Sequence, residues 1–96
     1  GRGMTTEQLK VLLQGEGYEH VRQLPDGRWV GIMDQLFTTG LFVGLDRSGY
    51  QERYCYEKFA DARAACRNWD GTGDPPGLWV KYKGRGGERL GPGATP

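Results

Sequence analysis

Ninety-six residues bound this chain to one domain, near the small end of what folds without disulfides or metals. Its 13 basic and 12 acidic residues give a net charge of +1, and Gly1-Arg2-Gly3 ahead of Met4 reads as an expression leader, without whose Arg2 the balance is 12 against 12. That balance excludes a global pull toward nucleic acid or acidic membrane, so any such attraction must come from a local patch. No apolar run approaches the roughly 18 residues needed to span a bilayer, and no signal-peptide pattern opens the chain.

Thr5-Thr6-Glu7-Gln8 marks a helix start: Thr5 as N-cap, Gln8 three residues on as its capping-box partner, Glu7 at the positive end of the dipole. Leu9, Leu12 and Leu13 then form one short apolar stripe that Gly15 and Gly17 end. A helix this short is unstable alone and must dock. From Tyr18 the period becomes strand-like. Residues 18–24 and 28–33 flank the turn Pro25-Asp26-Gly27; pairing Leu24 with Arg28 sets Val21 against Gly31 and Gln23 against Trp29, with Val30 and Ile32 on the other face. Residues 36–45 form a third apolar run, with 34–39 as either loop or strand. Asp46-Arg47-Ser48-Gly49 is a turn, and 50–57 alternates as a fourth strand.

Phe59, Ala62, Ala65, Cys66 and Trp69 line one face of a second helix, whose small alanines allow close approach to a sheet. The turn-rich stretch 70–77 stops it, and residues 78–82 add a final strand. The expected fold is α+β: an antiparallel four- or five-stranded meander with one helix packed across it and a short N-terminal helix. It occupies residues 4–84, and the Gly/Pro-rich basic stretch 85–96 is expected to be a flexible tail.

No catalytic or metal constellation stands out. His20 is the only histidine and lies in a strand, and Ser48 sits in a turn where serine serves turn chemistry. Cys55 and Cys66 are too few for a disulfide scaffold and match no metal spacing; the expectation is two buried thiols in a reducing, cytoplasmic setting. Asp70-Gly71-Thr72-Gly73-Asp74 opens like a calcium loop, but the twelfth position is Lys81 and too few oxygens remain. Gly84-Arg85-Gly86-Gly87-Glu88-Arg89 lacks the Gly-Lys-Ser/Thr ending of a phosphate loop. Neither metal nor cofactor is expected, and the chain reads as a binder rather than an enzyme.

Two aromatic surfaces compete for the binding role. Tyr50, Tyr54 and Tyr56 share a strand face, either under the second helix or open to a partner; Trp29, Phe37 and Phe42 pose the same choice. Trp79, Lys81, Tyr82 and Lys83, followed by Arg85, interleave rings with cations. Alternation puts Trp79, Lys81 and Lys83 on one face, or lets the lysines flank Tyr82. This pattern suits a protein partner; it also suits stacking on single-stranded nucleic acid, and a lysine-protected edge strand has the same composition. These five residues are the expected partner-binding set.

Three sequence marks in residues 54–84 are Tyr54-Cys55-Tyr56-Glu57, the alanine-rich helix ending Asn68-Trp69-Asp70-Gly71, and Asp74-Pro75-Pro76-Gly77 before Trp79-Val80-Lys81-Tyr82-Lys83-Gly84. This segment, about a third of the chain, resembles short uncharacterised proteins carried by bacteriophages and prophages. The resemblance implies a bacterial cytoplasmic setting and an accessory protein that binds host protein or nucleic acid. It carries over no catalytic residue.

Overall fold

The computed structural model describes residues 3–94, so Gly1 and Arg2 of the expected leader and the last two residues of the expected tail lie outside the described residues. In chain order the elements are α1 (Thr6–Gly15), β1 (Glu19–Gln23), β2 (Trp29–Asp34), β3 (Thr39–Val43), β4 (Glu52–Tyr56), α2 (Phe59–Asn68), β5 (Trp79–Gly84) and β6 (Gly87–Leu90). The strands form a single antiparallel sheet in which each lies beside its predecessor in sequence.

The N-terminal capping box forms as its residues imply. The Gln8 N–H donates to Thr5 Oγ1 at 3.1 Å, and the Thr5 N–H donates to Gln8 Oε1 at 2.9 Å. Next to its turn the first hairpin takes the expected register, with Gln23 opposite Trp29 and Val21 packed against Gly31, and a bulge between Glu19 and Arg22 then shifts it by one. Residues 35–38 are a tight turn, not strand: the Gln35 N–H donates to the Thr38 carbonyl at 2.7 Å, and β3 starts at Thr39. The apolar Leu36 and Phe37 are therefore carried at a hairpin tip.

Side-chain alternation gives the sheet two distinct faces. On one, Val30, Ile32, Leu41, Val43, Tyr54, Tyr56, Trp79 and Tyr82 pack with Ala62, Ala65 and Cys66 of α2 and with Trp69. On the other, Leu13 of α1 is fully buried with Val21, Trp29, Phe42 and Leu45, flanked by Leu9, Tyr18 and Met33. The sheet thus carries a core on each face, one beyond that under the single crossing helix expected. The leucine stripe of α1 builds the second. Tyr50 also departs from the expected tyrosine face: its ring meets Phe42 edge-on at 4.8 Å, on the opposite side from Tyr54 and Tyr56.

The sheet has six strands where four or five were expected, because part of the expected tail is strand β6. Gly84 pairs with Gly87 around the two-residue turn Arg85-Gly86, and the Gly91 and Gly93 N–H groups donate to the Val80 and Trp79 carbonyls, each at 3.0 Å. Main-chain pairing needs no apolar side chain, so low hydrophobicity was a poor guide here. Arg89 holds the strand down, its guanidinium 4.4 Å from the Tyr82 ring centroid and 5.4 Å from that of Trp79. Gly91 and Gly93 run so close to the Trp79 and Leu78 backbones that a Cβ at either position would collide.

Candidate binding face

Helix α1 covers only the β1–β3 half of its face of the sheet, since ten residues give it a length of about 15 Å. The β4–β6 half of that face is open. Strand register sets two rows of side chains across it. One row runs Phe42, Arg53, Lys83, Glu88; the next runs Gly40, Cys55, Lys81, Leu90. The hairpin tip borders the second row, and Gln35, Leu36, Phe37, Thr38, Arg53, Cys55, Val80 and Lys81 line a shallow depression there. Leu36, Phe37 and Leu90 are 86%, 87% and 79% exposed, so this rim is apolar and wet.

The charges on this face are mostly uncompensated. Lys81 Nζ lies 3.4 Å from Glu88 Oε2, and both side chains are about half exposed, which makes the pair weak. Among the described residues, Arg53 and Lys83 form no ion pair. Arg53 Nε is shielded from solvent and has no hydrogen-bond partner, a cost that an N–H donor ordinarily avoids.

The expected binding set divides across the sheet. Lys81 and Lys83 stand on the open face, and Arg85 is exposed in the β5–β6 turn. Trp79 and Tyr82 do not join them. They are 3% and 7% exposed and belong to the core under α2, which corrects the expectation that they meet a partner. The cause is a bulge: Tyr56 pairs with Trp79 and Cys55 with Lys81, so Val80 is extra and the ring at 79 turns to the same side as the ring at 82. Arg53, Leu36 and Leu90 were missed, while Phe37 takes the exposed alternative left open for it. Arg53 was legible by alternation from Tyr54, but its exposure depends on where α1 stops.

The acidic residues of the calcium-like stretch bond within the protein. Asp70 Oδ1 accepts from the Thr72 N–H at 2.8 Å, and Asp74 Oδ1 accepts from Arg89 Nη2 at 2.9 Å and from the Tyr54 hydroxyl at 3.2 Å. The Arg89 hydrogen bond holds the Asp74 carboxyl below its ordinary range. Alongside, the Tyr82 hydroxyl donates to Glu52 Oε2 at 2.8 Å and Arg28 approaches Glu52 Oε1 at 3.5 Å. Polar and ionic contacts thus close the end of the core that α2 does not reach.

His20, Ser48 and Cys55 are dispersed. His20 sits at a bulge in β1 with φ 55°, its ring 6.3 Å from that of Phe59, while the Ser48 hydroxyl donates to Asp46 at 2.7 Å. Cys55 and Cys66 are free thiols on opposite sides of the sheet. Burial pushes the Cys66 thiol up to about 11, against a smaller opposing effect of Arg22. Among the described residues, no three His, Cys, Asp or Glu side chains group to hold a metal ion, and no helix is long and apolar enough to cross a membrane. No protein-family model matches the chain, and no curated protein or solved structure matches it significantly.

Proposed function

We propose that the chain is a small non-enzymatic binding module that docks a protein partner on the open β4–β6 half of its sheet. One observation carries this reading: unpaired cations and three exposed apolar side chains share a face that α1 is too short to cover. Burying Phe37 alone is worth about 2 kcal/mol to an interface, whereas at a hairpin tip it contributes nothing to the fold. The dispersal of His20, Ser48 and Cys55 supports a binder over a catalyst. A bacterial, cytoplasmic, phage or prophage setting belongs to the same reading and rests on the resemblance of residues 54–84.

A photo-crosslinking residue replacing the exposed Gln35, which lines the same depression, tests the proposal, with one replacing Arg67 on the outer side of α2 as control. A discrete protein adduct is expected from position 35 alone, and Phe37→Ser should remove it. Equal labelling from both positions, or none from 35, refutes the docking face.

Nucleic acid is the second reading, favoured by the cations Arg53, Lys81 and Lys83 on the open face and Arg85 in the adjoining turn. It is weakened because the stacking rings it needed, Trp79 and Tyr82, are core. Its signature is a nuclease-sensitive adduct at position 35 and affinity that falls steeply with salt.

A further inference from the structure

Arg53 and Lys83 stand directly opposite each other in the β4–β5 ladder, on the open face. Like charges in that relation destabilise a sheet. No carboxylate among the described residues lies within ion-pair distance of either, although Glu88 stands cross-strand from Lys83 and 3.4 Å from Lys81 Nζ. Two residues along β5 lies Lys81, about 7 Å from Lys83 by strand geometry. Beyond Lys81, toward the hairpin tip, the surface turns apolar with Leu36 and Phe37, and Leu90 stands cross-strand from Lys81.

We infer that the partner presents an extended acidic segment, with two carboxylates two residues apart over Lys83–Arg53 and Lys81, and an apolar residue beyond the second. This deepens the protein-binding reading and rests on it. In an extended chain, alternate side chains share a face and repeat at the same spacing as Lys81 and Lys83. A carboxylate between Arg53 and Lys83 turns a repulsive pair into a bridged one. The apolar residue covers the rim. Phosphates match the charge equally well, but the apolar rim and the burial of Trp79 and Tyr82 favour a polypeptide.

The test is an amide NMR titration with the acetylated, amidated peptide Ser-Glu-Ser-Glu-Ser-Leu-Phe-Ser, its Gln-for-Glu analogue and an oligothymidylate. The glutamate peptide is expected to shift the amides of Phe37, Arg53, Lys81 and Lys83, and the glutamine analogue to bind about tenfold more weakly. Lys83→Glu should abolish binding; Lys83→Gln should weaken it while leaving the melting temperature nearly unchanged, since the position loses repulsion from Arg53 and attraction to Glu88 together. A lysine with a purely structural role predicts a fall in both. Equal binding of the two peptides overturns the acidic segment and leaves the protein-binding reading intact. Shifts from the oligothymidylate alone overturn both. If neither peptide shifts this face, the acidic segment falls, and crosslinking at position 35 decides the broader reading separately.

Discussion

Trp79 and Tyr82 face the same core although they are three positions apart, a spacing that strict alternation puts on opposite faces, because Val80 is the extra residue of a bulge against β4. The Trp79 ring meets Tyr54 edge-on at 5.1 Å, and the Tyr82 ring lies 4.9 Å from it. Trp79→Ala should therefore cost about 3–5 kcal/mol in chemical denaturation. Tyr82→Phe removes only the hydrogen bond to Glu52 and should cost about 1 kcal/mol, leaving the fold and partner capture intact. A Trp79→Ala protein with unchanged stability would return that ring to the surface.

Strand β6 gives the second prediction. Deleting residues 85–96 uncovers the edge of β5 and removes Arg89 from Tyr82, Trp79 and Asp74. The melting temperature should fall, and amide exchange along β5 should accelerate. A mobile tail predicts no change in either.

Stability should decline in acid partly through Asp74. Arg89 lowers its folded pKa, so its contribution is complete above the unfolded value near pH 4 and fades as pH drops through the folded one. The carboxylate is about half exposed, so the effect is modest and salt-sensitive. Melting curves of Asp74→Asn should show a lower plateau and a flatter acid limb than the parent.

Alkali acts through Cys66, with the opposite sign. Burial raises its thiol from 9.0 to about 11, so the neutral thiol's contribution is intact below 9.0 and is lost as pH climbs through 11. Burial also raises Tyr54 and Tyr56, which extends the decline in the same direction. Cys66→Ala should be less stable at neutral pH yet lose less between those two values. Aromatic disulfide reagents should label Cys66 in the native protein only slowly.

Local chemistry made several parts of this fold readable. The Thr5–Gln8 box, the Pro25-Asp26-Gly27 hairpin and the alternation from Tyr54 to Tyr56 each depend on residues a few positions apart, and each took its expected form. The start of β3, the existence of β6 and the facing of Trp79 did not. Pairing partners decide those features, and a pairing partner has no fixed sequence separation. The candidate site was legible in Lys81, Lys83 and Arg85, and Phe37 was left open between core and surface. Arg53 lies a strand away, and Leu36 read only as the start of an apolar run.

The order of turns and periods along the chain by itself determined an α+β meander with a capped first helix, because those signals act within a few residues. Which face remained bare was decided only by tertiary packing. A ten-residue helix ends before it can shelter β4 to β6, and a single bulge turns Trp79 inward while leaving Lys81 and Lys83 outside. Coverage and strand register are relations between distant segments, so no local stretch encodes them.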